Sequence, residues 1–187
     1  MNAWRLPTSL TIGGVGYSIR TDFRDVLHVL SVLSSSKYNE QEKAMATIII
    51  MFPKWKEIPQ ELYGEALEQV SHFIDAGIAK SGKKSPATMD WDKDAPIIIP
   101  AVNRVLGKEI RALEYLHWWT FVAAYMEIGR SLFSSVVSIR AKRAKGEKLD
   151  DEEKKFFREN RELIEIRKER SEEEKDFLSK LLGKKVR

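Results

Sequence analysis

The stretch 113–126 constrains this chain more than any other part of it. Leu113, Leu116, Trp118, Trp119, Phe121, Val122, Ala123, Ala124, Tyr125 and Met126 crowd together there. A helix that is apolar nearly all round has to be enclosed by other elements. The spacing therefore predicts a central helix over 111–128, with further helices packed round it. Those are legible as apolar positions at helical period. Phe23, Val26, Leu27, Leu30 and Leu33 mark a first helix, with Thr21 as its expected N-cap. Asn39 and Glu42 have the spacing of a capping box for a second, which Pro53 ends. A third spans 59–77, a fourth runs over 92–107 with Pro100 expected to bend or split it, and a sixth covers 131–142.

Only the start of the chain alternates. Leu10, Ile12, Tyr17 and Ile19 bracket Gly13, Gly14 and Gly16, which predicts a short hairpin over 8–20. A phosphate-cradling loop would need a helix directly after these glycines, and Tyr17-Ser18-Ile19-Arg20 reads as a strand instead. Beyond Gly146 the character changes. Residues 150–182 read as one long helix or two, Leu149, Phe156 and Leu163 recur every seven residues, and Ile166 adds to that side. No apolar residue lies between Arg167 and Asp176. The expected architecture is mainly α: a multi-helix domain over 1–146 opened by a short N-terminal β-hairpin, then a charged helical C-terminal arm over 147–187.

Composition narrows the function classes. The chain of 187 residues has no cysteine, which removes disulfides, thiolate metal sites and thiol nucleophiles. It has no apolar run long enough to span a bilayer, so no membrane association is expected. The net charge of +4 is uneven. Residues 141–187 hold 16 Lys and Arg against 13 Asp and Glu, and the rest of the chain is nearly neutral. The two signs alternate in that arm, whereas nucleic-acid binders separate them into a basic face. A nucleic-acid partner is therefore not expected.

Each chemical motif falls short of its pattern. Gly77, Gly82 and Lys83 resemble a phosphate-binding loop until Lys84 takes the position of the metal-reaching Ser or Thr, and the loop follows a helix. Asp90, Asp92 and Asp94 have calcium-loop spacing, but Ala95 and Ala101 replace the required Gly and Glu. They read better as acids favoured by a helix N-terminus. Glu114 and His117 have the Glu-x-x-His spacing of di-iron bundles, without a second such pair. His28, His72 and His117 fall on three predicted helices. The sequence leaves a three-histidine site open, with a local hydrogen bond the simpler role for each. Trp118, Trp119 and Phe121 are read as core, since each bulky aromatic buries about 150–250 Å². A partner groove bordered by one tryptophan stays open beside that. No catalytic constellation and no cofactor are expected.

Several segments together resemble one known family. Leu6-Pro7 before the hairpin, Thr21-Asp22-Phe23-Arg24-Asp25, Glu42-Lys43, Asp90 and Asp94, Leu116-His117-Trp118-Trp119-Thr120-Phe121 and Ile139-Arg140-x-Lys142 occur in the order of the bacteriophage gene-product-fifteen family. The resemblance covers 6–165, and residues 167–187 extend past the family's usual end. The family is encoded in long-tailed phages and prophages of Gram-positive bacteria, typically between the major tail protein and the tape-measure protein. The resemblance thus implies a non-enzymatic tail assembly chaperone, acting in the host cytoplasm. It would coat the tape-measure protein, self-associate as a homo-oligomer, touch other tail assembly proteins and be absent from the mature virion. A structural component kept in the virion and a nucleic-acid-binding regulator using the basic residues of 140–148 are the alternatives. Leu149, Phe156, Phe157, Leu163 and Ile166 are the expected partner-binding residues. Asp22 and Arg24 are expected to fix the hairpin–helix junction. Adjacent residues on a helix point about 100° apart, so Phe156 and Phe157 need two different surfaces.

Overall fold

The computed structural model describes residues 4–76 and 88–165. Its described part is mainly helical, with one two-stranded antiparallel hairpin at the N-terminus. Strands β1 (Ser9–Ile12) and β2 (Val15–Ser18) pair Leu10 with Tyr17 and Ile12 with Val15. Gly13 and Gly14 form the two-residue turn with φ of 55° and 79°, the left-handed geometry such a connection demands. The Gly13 N–H donates to Glu65 Oε1 at 3.0 Å, and a Cβ on Gly13 would lie 2.7 Å from Leu62 Cδ1. The turn is thus seated on the start of the third helix. Leu10 and Ile12 point into the core.

The helices α1 (Phe23–Ser34), α2 (Glu40–Met51) and α3 (Tyr63–Ile74) follow. Asp22, not Thr21, caps α1: its Oδ1 accepts from the Arg24 N–H at 2.9 Å. Thr21 is committed elsewhere. Its hydroxyl lies 2.7 Å from the Tyr115 hydroxyl and its carbonyl accepts from the Trp118 N–H at 2.7 Å. Asn39 and Glu42 form the expected capping box on α2. Arg20 closes the other end of that helix, donating to the carbonyls of Ile49 and Ile50 while its own N–H bonds Met51. The third helix begins later than expected. Pro59 is extended, with ψ of 138°, and Gln60–Leu62 is a single 3-10 turn before α3. Gly77 and the rest of the Gly-Lys-Ser segment lie outside the described residues, as does its phosphate-loop reading.

In the second half, α4 (Ala95–Leu106) is one helix despite Pro100. A ring in a helix interior removes one N–H, and here Pro100 and Pro96 both sit on the exposed side, so no buried bond is sacrificed. Gly107, with φ of 69°, ends it. The central helix is shorter than the apolar stretch implies: α5 covers Trp118–Met126 only. Ile110–Ala112 is a 3-10 turn, and the segment up to His117 is extended because α1 uses its backbone. Leu116 accepts from the Phe23 N–H at 2.9 Å and donates to Asp22 Oδ2 at 3.0 Å. Nor is α5 enclosed on every side. Trp118, Phe121 and Ala124 are buried, while Met126 is 59% exposed.

Helix α6 (Leu132–Ala144) starts with a Ser131–Ser134 capping box. Among the described residues the C-terminal run forms two helices, α7 (Asp151–Glu159) and α8 (Arg161–Ile164), broken at Asn160, and the rest of the helical stretch expected over 150–182 lies outside the described residues. One core unites the hairpin, α1 to α6 and Ile164 of α8. Its polar centre is Arg140, whose five N–H donors are all used. The guanidinium holds both carboxylate oxygens of Asp94 at 2.6 and 2.9 Å. It also donates to Thr88 O at 3.1 Å, to Ile164 O at 2.9 Å and to Leu163 O. Asp94 Oδ2 accepts the Asp90 N–H as well.

Two tryptophans do similar work at the other end of the core. The indole N–H groups of Trp118 and Trp119 donate to the carbonyls of Ile74 and Phe73 at 2.8 and 2.9 Å, closing the C-terminus of α3. Stripping one buried acceptor of its donor costs about 1–3 kcal/mol. Trp118→Phe, which keeps most of the ring, is therefore expected to lower the unfolding free energy by that amount in a urea titration. Arg140→Ala leaves a buried Asp94 unpaired, a loss of about 3–5 kcal/mol. The same titration, with limited proteolysis mapping cleavage to 147–165, checks it.

Candidate interaction surface

The functional candidates separate into three groups in space. Asp22 and Arg24 lie at the start of α1, and their partners are on the segment leading into α5. Besides its cap, Asp22 accepts from Leu116. Arg24 donates to both Asp22 oxygens at 3.1 Å, to Leu113 O at 2.6 Å and to Ile110 O at 3.3 Å, and its guanidinium lies 4.6 Å from the Phe23 ring centre. Glu109 begins that segment. It receives the Arg111 backbone and guanidinium, which hold its carboxyl at a pKa of about 2, well below the usual range.

Trp118, Trp119 and Phe121 form the second group. Phe121 stacks on Phe23 at 5.0 Å and on Trp118 at 5.5 Å, with Trp91 edge-on to Trp118 at 6.2 Å. Trp119 is half-buried against Phe73 at 6.1 Å. His117 is the N-cap of α5: Nδ1 accepts from the Trp119 N–H at 3.0 Å, which leaves the proton on Nε2 to donate to Pro7 O at 3.0 Å. His28 and His72 are exposed, and among the described residues no group of three His, Asp or Glu side chains is arranged to hold a metal.

The third group is the arm. Leu149, Phe156, Phe157 and Leu163 are each half-buried and pack against the main core, while Ile166 lies outside the described residues. The two phenylalanines do diverge. Phe157 is covered by the Arg143 guanidinium, 4.4 Å from the ring centre. Phe156 faces a groove between α6 and α7. Ser134, Ser135 and Ser138 form one side of it and Glu152 and Glu153 the other, with half-buried Phe156 supplying apolar surface over buried Ile139, in a volume of about 400 Å³. Lys142 pairs with Glu153 at 2.5 Å, and the carboxylate raises the lysine's pKa. A second, smaller cleft of about 210 Å³ lies beside Pro96, Pro100 and Leu132, where α4 meets the start of α6.

The Asp94–Arg140 pair has a role that the charge pattern did not reveal. Asp94 precedes α4 but makes no side-chain cap there. The three acids instead have separate duties: Asp90 accepts from Asp92 and Lys93, Asp92 from Ser31, and Asp94 from Arg140. A signal for Arg140 was present. Phe133, Val136, Ile139 and Arg140 share the helical period of one face, and a cation on an apolar face needs a buried partner.

The segments that carry the family resemblance thus meet one another: Pro7 with His117, Asp22 and Arg24 with the run before Trp118, and Asp94 with Arg140. The family described as Bacteriophage Gp15 protein matches residues 4–166. No curated protein and no solved structure matches the chain. A match over that span of a chain of 187 residues carries a plain conclusion: the chain belongs to the Bacteriophage Gp15 protein family.

Proposed function

We propose that this phage protein is a non-enzymatic tail assembly chaperone that binds the tape-measure protein and keeps it soluble in the host cytoplasm until tail subunits polymerise. The observation that carries the reading is the groove between α6 and α7. A holdase has to cover apolar segments of its client without burying them for good, and helix-in-groove docking does this with a narrow apolar strip and a polar rim. Half-buried Phe156 supplies the apolar strip, over buried Ile139 at its floor, and the three serines and two glutamates the rim. Leu149, Phe157 and Leu163 act beneath it by holding α7 in place. Homo-oligomerisation belongs to the same proposal, through the cleft at Pro96 and Pro100, where Leu132 is 44% exposed.

Four of the five cations of 140–148 have local partners, which disposes the stretch poorly to bind nucleic acid. Arg140 is buried on Asp94, Lys142 pairs with Glu153, Arg143 covers Phe157 and Lys145 lies 3.8 Å from Glu147. Co-expression with the tape-measure protein tests the chaperone reading. The expected result is soluble, co-purifying tape-measure protein with the native chain and a mostly insoluble one with Phe156→Asp. Failure of the native chain to keep it soluble would overturn the proposal. So would abundant peptides of this chain in purified virions.

A further inference from the structure

Among the described residues α7 is the one α-helix without a buried side chain. No backbone hydrogen bond among them joins 151–159 to another helix. The polar ties of α7 to α6 are two side-chain contacts: Lys142 with Glu153, and the Arg143 guanidinium over the Phe157 ring. We propose that α7 is a lid, latched by the Lys142–Glu153 pair, and that its lifting bares an apolar strip of Ile139, Phe156 and Phe157.

The chain is fixed on either side of this helix and loose at its two ends. Before it, the N–H groups of Gly146 and Glu147 donate to Arg143 O at 3.1 Å and Lys142 O at 2.9 Å, so the turn after α6 is tied down. The backbone of Lys148 and Leu149 then makes no hydrogen bond to another described residue. At the far end the helix breaks at Asn160, with φ of −120° and ψ of 29°, and Arg140 holds the carbonyls of Leu163 and Ile164 just beyond. Two joints between two fixed points give a segment its hinges. Ile139, Lys142 and Arg143 share one face of α6 at i, i+3 and i+4. The two cations hold α7 over that face, so α7 also covers Ile139, which is buried and meets Phe156 at the groove. The latch is part-exposed, 34% at Lys142 and 20% at Glu153, which leaves it open to screening by salt. That an apolar client segment would take the bared strip rests on the function proposed above.

The chain has no cysteine, so a single introduced thiol can be followed alone on the full chain with no client present. Ile139→Cys places one beneath α7, and Val70→Cys, buried on α3, reports unfolding of the whole molecule. The rate of labelling by a soluble thiol reagent follows the fraction of chains in which the site is open. The Ile139→Cys thiol is expected to react about tenfold faster than the Val70→Cys thiol, or more. Glu153→Gln removes the charge of the latch and keeps an acceptor for the Asp150 N–H at the start of α7. That change, or salt at about 1 M, where the Debye length is about 3 Å, should raise the ratio of the two rates by about two- to fivefold. Phe157→Cys, on a helix with no buried residue to lose, should show the same response to salt, and it reads the lid if Ile139→Cys does not fold. Equal rates at the two buried sites, or no salt response at Phe157→Cys, would overturn the lid. Fast labelling at Ile139→Cys that neither salt nor Glu153→Gln alters would overturn the latch. Neither result bears on whether the groove takes a client, which only the co-expression experiment reads.

Discussion

A buried guanidinium is tolerated only if its charge is matched and each of its donors has an acceptor. Arg140 meets both conditions, but its acceptors come from four residues outside its own helix α6: Asp94 just before α4, Thr88 on the segment leading to it, and Leu163 and Ile164 at the end of α8. Most of the second half of the fold is therefore conditional on one side chain. A helix end carries a partial negative charge from its free carbonyls, so Arg140 also neutralises the end of α8. The arm is docked chiefly by its last turn, with Ile164 in the core, while α7 stands far enough from α6 to leave an open groove. A firm anchor next to an open groove is what gives the proposed binding surface its shape.

The first half is held by a different device with the same logic. The starts of α1 and α5 lie side by side as a short bridge between Asp22 and His117. Asp22 and His117 each cap their own helix and also reach across, to Leu116 and to Pro7. The two tryptophans after His117 then terminate α3 through their indole nitrogens. One sequence run thus starts a helix, ends another and stacks the aromatic core. Among the described residues no buried side-chain polar atom lacks a partner.

Local signals were readable in the sequence. The Asn39–Glu42 box and the Gly13-Gly14 turn each depend on residues a few positions apart, and each occurs where expected. What went astray depended on distant partners. The run before Trp118 is as apolar as a helix, and only its bonds to Asp22 and Phe23, more than 90 residues earlier, hold it extended. Thr21 has the chemistry of a cap, but its hydroxyl is taken by Tyr115. Arg140 and Asp94 were visible as motif residues, yet 46 positions separate them and neither advertises the other. The split of Phe156 and Phe157 onto two surfaces followed from helix geometry: Phe157 lies under the Arg143 guanidinium, while Phe156 faces the open groove.

The most direct test of this account is amide hydrogen exchange on Arg140→Lys. Lysine keeps the charge but has three donors at one point where arginine spreads five. The expected outcome is a selective loss of protection in α8 and the end of α7, of about 1–3 kcal/mol in opening free energy for each buried acceptor left unpaired. The hairpin, α1 and α3 should exchange as in the native chain. Unchanged protection over 151–164, or an equal loss across the whole molecule, would contradict the claim that Arg140 is what docks the arm.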